Sequence, residues 1–484
     1  MDQFDTISPI DYRYYGDNKE VFVQLHDYLS EEANIKYLLR VELAIVRVLA
    51  ANGVCPAQVP EQVEAACREI TASDVYAEEN RVHHNIRALV NCIRRKLPRE
   101  SWPYVHLFAT SNDIMDTAAA LRYKDFVRDV VLPDLIDLSQ TLVDLARRNS
   151  GQAQIGRTHG QHAIPTTFGS AIALYVSRLG SRIQSIYAAS QTLRGKFSGA
   201  VGAFNALSLH DDVDPVRYEI ELMNELGLKA SDCPVASQIV EPEYLADLVY
   251  SIVSCFSVLA NLADDVRNLV RTEIGELTDT YRDEEVGSST MPHKINPKNF
   301  ENIKSLWKEF MPRMNTMFMD QISEHQRDLT NSASQRFLPE LFAGFTYAVA
   351  RMQDGLSKIR VNAERMSANL ESSKHLIVAE PLYITLALQG YAEAYDAVMR
   401  LARESQKRGV RLMDLVRSDK ELHKIIQSLP EKQKKVLDDP ALYIGAAEQR
   451  TIAVCDHWEQ ACVSMKRQLK ADRIARRTLA IVGA

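Results

Sequence analysis

The sequence predicts an all-α fold. After Pro165, apolar residues recur at steps of three and four from Phe168 to Ile186, which is the spacing of an amphipathic helix. Residues 243–272 carry two such apolar seams, so a helix there must be buried on two faces. No sustained alternation of apolar and polar residues predicts a strand. Long helices of this kind indicate a helical bundle.

The two-seam segment has two explanations. A bundle that continues into neighbouring subunits would bury both seams, and we therefore expect a homo-oligomer. The competing explanation is a helix buried deeply within one large chain. The length of 484 residues allows either, because it is enough for more than one domain and a large core.

Three domains are expected along the chain. Residues 1–112 predict a helical N-terminal domain, with one helix over 30–52 and residues 81–86 on another. Residues 113–364 are predicted to form the long-helix bundle, including a helix from Phe168 that Thr166 caps. Residues 365–484 carry more charge, are interrupted by Gly390, Gly409 and Pro430, and are predicted to form a small domain of shorter helices.

Composition excludes several classes of protein. An apolar fraction of 46% and a charged fraction of 25% are ordinary for a soluble protein, and a net charge of −7 argues against nucleic-acid binding. Seven cysteines without a CxxC pair indicate a reducing compartment and no zinc site. The start lacks the features of a signal peptide, and the apolar run 248–263 is too short to span a membrane. We expect a cytoplasmic protein.

The most informative segment is 287–297, Gly-Ser-Ser-Thr-Met-Pro-His-Lys-Ile-Asn-Pro, closed by Glu301. Glycine and two prolines forbid a continuous helix, so the segment is predicted to be a loop. Its hydroxyls and its cations, His293 and Lys294, suit an anionic substrate that is covered during a reaction. The alternative is an ordinary solvated loop between helices.

Other segments are candidates for anion binding. Thr110 or Ser111 is predicted to cap a helix, and so is Asn331 or Ser332, with Arg336 one turn later. Arg13 and Tyr14 form a possible phosphate contact in a turn. Each of these also has a plain structural explanation as a cap or a surface turn. Residues 156–165 are predicted to be a loop with two histidines, and residues 199–203 a glycine turn.

The residue pattern of segment 287–297 resembles the signature of the fumarase/aspartase superfamily. Further stretches resemble the adenylosuccinate lyase family: 8–14, 104–113, 156–169, 199–202, 326–330 and 379–381. Three departures affect details of nucleotide contact. Tyr12 stands where the family usually has glycine, and His83-His84-Asn85 stands where it usually has His-Asp. Residues 239–242 differ from the Arg-Asp sequence that many members have at this position.

The resemblance implies a three-domain fumarase/aspartase-like fold that assembles into a homotetramer with active sites shared between subunits. It also implies a C–N lyase of purine biosynthesis that eliminates fumarate from adenylosuccinate, giving AMP, and from succinyl-aminoimidazole-carboxamide ribotide. No metal or organic cofactor is implied. The alternative within the superfamily is another fumarate-releasing lyase, such as one like argininosuccinate lyase.

The resemblance also assigns roles to residues. Ser288 is the base, Lys294 and Asn296 hold the succinyl carboxylate, His159 is the acid, Glu301 orients it, and His106 lies near the leaving group. The implied substrate-binding residues are Arg13, Tyr14, His84, Thr110, Ser111, Thr158, Gln238, Asn296, Arg327, Ser332 and Arg336. A serine hydroxyl is a poor base unless cations and N–H groups activate it.

Two hypotheses from other classes compete with this assignment. Asp264-Asp265 on a helix suggests a magnesium-dependent isoprenoid synthase. However, the next residues, Val-Arg-Asn, lack the further acidic residue that a metal cluster requires. A non-catalytic helical homologue is the other hypothesis, and the intact set Ser288, Lys294, His159 and Glu301 argues against it.

Overall fold

The computed structural model describes residues 5–230, 235–280, 287–322, 325 and 327–482, with the backbone alone at 17 and 475–482. Helices account for 72% of the chain and strands for 4%, so the predicted all-α class is confirmed.

The N-terminal part is built of short and medium helices. They are α1 (Tyr15–Asp17), α2 (Lys19–Leu29), α3 (Glu31–Ala51), α4 (Val59–Arg68), α5 (Ala72–Val82) and α6 (Asn85–Arg95), with helical turns at Ile10–Tyr14 and Arg99–Tyr104. The predicted helix over 30–52 is α3, and the Ser30 side chain caps it by accepting the Ala33 N–H.

Residues 81–86 do not form one helix, contrary to the prediction. His83 has a left-handed φ of 53° and ends α5. His84 is extended, and its Nδ1 accepts the Arg87 N–H at the start of α6. The two histidines therefore lie at a helix–helix junction, which their sequence context does not signal because neither glycine nor proline marks it.

The central part holds the long helices. They are α7 (Ser111–Phe126), α8 (Leu132–Arg148), α9 (Phe168–Thr192), α10 (Pro215–Leu226), α11 (Glu243–Val270), α12 (Lys298–Phe310), α13 (Arg313–Met319) and α14 (Ser332–Lys358), with a 3-10 turn at Leu207–Leu209. A π-helical segment, Val127–Val131, joins α7 to α8 without a break. The cap of α9 is Thr167, which accepts the Ser170 N–H, and not Thr166 as expected.

Helix α11 is the two-seam segment of the sequence. It packs against α9, α12 and α14 of the same chain, and both seams are buried there. One chain therefore buries this helix, so the competing explanation of the two seams is sufficient. In the described part of the chain, α11 alone is long and apolar enough to cross a membrane, but 67% of that stretch is buried in the protein.

Residues 153–167 form a β-hairpin, where a loop was expected. Strand β1 (Ala153–Thr158) pairs antiparallel with β2 (Gln161–Thr167), and Thr158 faces Gln161 across the turn. The two turn residues, His159 and Gly160, have φ values of 54° and 74°, which fits a two-residue hairpin turn. Pro165 is tolerated because a two-stranded sheet has only edge strands. A second small sheet pairs β3 (Leu277–Thr278) with β4 (Arg360–Val361).

The C-terminal part contains α15 (Ala363–Ile377), α16 (Ala379–Leu388), α17 (Ala394–Arg408), α18 (Leu412–Ser418), α19 (Lys420–Ser428), α20 (Glu431–Asp438), a 3-10 turn at Pro440–Leu442, and α21 (Ala447–Val482). The expectation of shorter helices is wrong for α21, which has 36 residues and packs against α8 and α9.

Hydrophobic packing bears on the domain division. One large core includes residues from Phe22 to Met366 and returns to Cys455 and Leu469 on α21. A separate small core lies between Val378 and Leu437. The division at residues 112 and 364 stays a proposal, in which α21 would belong to the C-terminal domain while packing on the central one.

Candidate active site

The segment 287–297 is an irregular loop before α12, as predicted. Within it, the Ser288 Oγ accepts the backbone N–H groups of Thr290 at 3.3 Å and Met291 at 3.0 Å. The Asn296 side chain donates to the Gly287 carbonyl at 2.7 Å and ties the two ends of the loop together. Two N–H donors directed at one hydroxyl oxygen would stabilise negative charge on that oxygen.

Lys294, Asn296 and Glu301 line one cavity of about 420 Å³. The opposite wall is the C-terminal end of α11, including Arg267 and Arg271. Asp264, which is paired with Arg267, and Glu301 also line this cavity, so three cationic side chains face two carboxylates. The excess of positive charge comes from Lys294 and Arg271, and it would favour an anionic substrate.

Asp264 and Asp265 are engaged in other contacts. Asp264 forms ion pairs with Arg267 and Lys304, at 2.8 and 2.6 Å. Asp265 accepts a hydrogen bond from the hydroxyl of Tyr175. Asp264 is thus paired with two cations and Asp265 with a hydroxyl, and two carboxylates engaged in this way are not the acidic cluster that a magnesium-dependent synthase needs.

The N-terminus of α7 is held by a buried carboxylate. Thr110 caps the helix, as predicted, and Asp113 Oδ2 accepts its N–H at 2.8 Å and its hydroxyl at 3.0 Å. Asp113 Oδ1 accepts hydrogen bonds from the ammonium of Lys196 and from the backbone N–H groups of Ser198 and Gly199. The glycine turn at 199–202 is thereby fixed beside Thr110 and Ser111.

Gln238 and Arg327 belong to the same neighbourhood. The Val240 N–H, two residues beyond Gln238, donates to Asp116 Oδ2 on α7 at 3.0 Å. Burial raises the pKa of Asp116 to about 6, while the Val240 N–H, Lys196 and Arg327 act to lower it. Arg327 therefore lies within electrostatic range of α7, and it donates to the Asn331 side chain at the start of α14.

His106 precedes α7 and is paired with a residue of α3. Its Nδ1 lies 2.7 Å from Glu42 Oε1, and Glu42 is fully buried. Burial alone would lower the pKa of His106, but the Glu42 carboxylate outweighs it and the pKa is raised.

His84 also lies near this end of α7, whereas Ser332 and Arg336 are placed by their neighbours on α14 and α5. The Asn85 amide, next to His84, lies 3.4 Å from Met115 Sδ on α7. Ser332 begins α14, after Asn331 at the cap position. Burial and Glu31 raise the pKa of Tyr76 on α5 to about 12, and Arg336 opposes that rise, so Arg336 is close to α5.

The hairpin presents His159 and Thr158 at its exposed tip. Strand β1 is held by Glu276, which is fully buried and accepts hydrogen bonds from Arg157 at 2.5 Å and Gln154 at 2.7 Å. Glu276 also accepts one from Asn369 of α15 at 2.8 Å. Among the described residues, no hydrogen bond joins His159 to Ser288 or Glu301.

Arg13 and Tyr14 lie on the helical turn before α1. Tyr14 packs edge-on against Tyr347 of α14, with ring centroids 5.1 Å apart. Tyr347 is eleven residues beyond Arg336, or about 16 Å along the helix. Within one chain, Tyr14 therefore contacts α14 well away from Ser332 and Arg336.

Comparison with known proteins identifies the family. Residues 13–309 match the sequence family described as lyase, and residues 323–438 match that described as adenylosuccinate lyase C-terminal. Adenylosuccinate lyase of Pyrococcus horikoshii is 33% identical over 94% of this chain and 98% of its own length. That of Pyrococcus abyssi is 35% identical over the same shares.

The chain belongs to the adenylosuccinate lyase family.

Solved structures give the same fold. A fumarate lyase from Mesorhizobium sp. BNC1 has a TM-score of 0.77 and 25% identity, covering 90% of this chain and 97% of that one. The 3-carboxy-cis,cis-muconate lactonizing enzyme from Pseudomonas putida has a TM-score of 0.77 over the same shares at 24% identity, and it supports the fold alone. The predicted fumarase/aspartase-like architecture of an adenylosuccinate lyase is thus confirmed.

The predicted site residues fall into three groups, apart from Arg13 and Tyr14. The loop group is Ser288, Lys294, Asn296 and Glu301. The hairpin group is Thr158 and His159. The α7 group is His84, His106, Thr110, Ser111, Gln238, Arg327, Ser332 and Arg336.

Helix α11 separates two of these groups. Gln238 of the α7 group lies just before its first residue, Glu243, whereas Lys294 and Asn296 line a cavity with its last turns. A helix of 28 residues is about 42 Å long. One nucleotide cannot contact both ends, so a single chain does not bring the α7 group and the loop group together.

Three buried carboxylates support the candidate site residues and are not predicted from the sequence: Glu42, Asp113 and Glu276. Asp113 had a signal, because it stands three residues after the Thr110 cap, the spacing of a capping box. Glu42 and Glu276 had none. Their partners, His106 and Arg157, are distant in sequence, so only the tertiary structure pairs them.

Proposed function

We propose that the protein eliminates fumarate from adenylosuccinate, giving AMP, and from succinyl-aminoimidazole-carboxamide ribotide. Family membership supports a C–N lyase of this kind. The structural observation that carries the proposal is the position of Ser288. Its Oγ accepts hydrogen bonds from two backbone N–H groups, in a loop that also lines a cavity with Lys294 and Arg271.

Ser288 is the base in this mechanism. Removing a proton from the carbon β to the leaving nitrogen requires a strong base, and the Thr290 and Met291 N–H groups would stabilise the serine alkoxide. Lys294 and Asn296 would hold the succinyl carboxylate, where the charge of the aci-carboxylate intermediate develops. Thr110, Ser111, Thr158 and Gln238 would bind the remaining succinyl oxygens.

His159 is the acid that protonates the departing nitrogen, and Glu301 orients it. The exposed hairpin tip can reach a substrate that is held by another part of the assembly, and strand β1 of the hairpin is fixed by Glu276. His106 lies near the leaving group. The nucleotide phosphate would be bound by Arg13, Tyr14, His84, Ser332 and Arg336, with Arg327 near the ribose or base.

The site is completed by other copies of the chain in a homotetramer. The support is the separation of the α7 group from the loop group along α11, which antiparallel packing of two chains would remove. A further support is exposed apolar surface between α13 and α14, which a second copy could cover: Phe318, Met319, Ile322, Leu329 and Phe337.

We propose a cytoplasmic location without nucleic-acid or membrane partners. The described cysteines are all free, and five of the six are buried, which suits a reducing compartment. The seventh, Cys233, lies outside the described residues. The proposed reaction needs no metal or organic cofactor, because the base, the acid and the charge-stabilising groups are side chains and backbone N–H groups of the protein.

A substrate panel tests this function. Adenylosuccinate, argininosuccinate, aspartate and malate are each incubated with the purified protein, and fumarate is measured. Release from adenylosuccinate alone supports the proposal, and release from argininosuccinate alone identifies the alternative lyase. Light scattering on the same sample measures the assembly, and a stable, active monomer would contradict the shared site.

A further inference from the structure

We propose that Glu42 is a positioning residue that orients His106 and determines which ring nitrogen carries its proton. The role rests on the proposed function, because His106 is placed near the leaving group there. The pairing joins α3 to the segment before α7, two parts of the chain that are 64 residues apart.

The first support is the geometry of the pair. His106 Nδ1 lies 2.7 Å from Glu42 Oε1, the length of a charge-assisted hydrogen bond. An ionised carboxylate only accepts, so Nδ1 must donate. Neutral His106 therefore has its lone pair on Nε2, and protonated His106 has a donor there. Either form presents Nε2 as its reactive atom.

The second support is the burial of the carboxylate. Glu42 is fully buried, and its Oε2 has no hydrogen-bond partner among the described residues. A buried carboxylate is costly without a close positive charge or donors. Among the described residues, His106 is the single hydrogen-bond partner of Glu42. The carboxylate and the imidazole therefore stabilise each other's charged forms.

The third support is the backbone of His106. Its φ is 66°, a left-handed conformation that non-glycine residues adopt rarely. Arg94 holds the preceding residue by donating to the Val105 carbonyl at 3.2 Å. Strained conformations of this kind persist where the surroundings impose them, and they concentrate at functional sites. At this position Arg94 holds the backbone before His106, and Glu42 holds its ring.

The charged groups that face His106 set the direction of its titration. Burial lowers its pKa, Glu42 and Asp113 raise it, and Arg94 lowers it, with a raised pKa as the result. The Cys67 thiol next to Glu42 stays neutral, because burial and Glu42 raise its pKa to about 12. Removing the Glu42 charge should therefore lower the pKa of His106.

The test is the substitution Glu42→Gln. Hydrogen–deuterium exchange at the imidazole Cε1, followed by mass spectrometry, gives the pKa of His106 in the whole enzyme and is independent of activity. We expect a pKa above the ordinary histidine value in the wild type and below it in E42Q. The limb of the kcat/KM profile that reports His106 should move to lower pH, with a loss on the order of tenfold or more on its alkaline side.

Two further variants keep the test decisive. Asp125→Asn removes another buried carboxylate between α3 and α7, the partner of Tyr37 and Arg40, and should leave the pKa of His106 unchanged. Glu42→Asp keeps the charge and should give a His106 pKa between those of the wild type and E42Q. If E42Q does not fold, the shift of the His106 pKa between the wild type and E42D provides the test.

Three results would overturn the role: a wild-type His106 pKa at or below the ordinary value, an unchanged pKa in E42Q, or an equal shift in D125N. If the wild type releases no fumarate from adenylosuccinate, the proposed function fails, while the exchange measurement still decides whether Glu42 controls His106.

Discussion

The ammonium of Lys196 and the carboxylate of Asp113 form a buried ion pair under the first turn of α7, with side-chain exposures of 3% and 0%. The same carboxylate accepts four further hydrogen bonds, from Thr110, Ser198 and Gly199. One side chain thus connects the α7 cap with the glycine turn at 199–202.

Asp113→Asn should strongly destabilise the protein, because it removes the carboxylate that balances the buried Lys196 charge and leaves the ammonium with the neutral Gly199 carbonyl. The expected loss is about 3–5 kcal/mol of unfolding free energy, measured by urea denaturation. The control is Glu404→Gln, which breaks the exposed pair of Glu404 and Arg408 and should cost less than about 1 kcal/mol. Equal losses in the two variants would contradict the importance of burial.

Ser288→Ala should abolish most turnover and leave the fold intact. The loss of the base is expected to lower kcat on the order of 10²- to 10⁴-fold. Fumarate release measures this, and circular dichroism checks the fold. Ser289→Ala is the matched control, since Ser289 is an exposed neighbour with the same hydroxyl. If S289A loses as much activity as S288A, the assignment of the base is wrong.

Asp134→Asn should stabilise the protein at neutral pH. Burial, with a smaller effect of Asp137, raises the pKa of Asp134 to about 6. The folded protein therefore binds a proton more tightly than the unfolded chain, and stability falls as the pH rises from about 4 to 6.

The asparagine variant carries no charge at any pH. Its gain in stability should be at most about 3 kcal/mol above pH 6 and should vanish below about pH 4. Thermal unfolding across this range measures it. A gain that does not depend on pH would show that the charge of Asp134 is not the cause.

Gly202→Ala should disturb the segment that carries Gln238. Gly202 has a φ of 73°, and an added Cβ would lie 1.8 Å from the Ala236 carbonyl oxygen. We expect a loss of stability above about 1 kcal/mol and a higher KM for adenylosuccinate. Gly390→Ala is the control, with a φ of 80° but open space around the added Cβ. If the KM of G202A is unchanged, Gln238 does not take part in substrate binding.

Much of this fold is predictable from the sequence. Helix α11 was expected over 243–272 and runs from Glu243 to Val270, because its apolar seams leave few alternatives to a buried helix. The Thr110 cap and the loop at 287–297 were also predicted correctly, since caps and breakers act through neighbouring residues. Local chemistry was enough for these elements.

Other elements were not predictable in this way. The hairpin at 153–167 was missed because its glycines and proline indicate a loop, and its strands gain their stability from each other. The junction at His83 and His84 was missed because no breaker residue marks it. The two seams of α11 favoured an oligomer, although packing within one chain already buries them.

The sequence by itself determined the all-α class, the loop with Ser288 and Lys294, and the family, because these depend on residue identity and short spacing. Only the tertiary structure decided that Glu42 faces His106, that Glu276 holds the hairpin, and that Gln238 and Lys294 lie at opposite ends of the 28-residue helix α11. The physical reason is that such distances depend on how whole helices pack. Packing is a property of surfaces that are assembled from distant parts of the chain.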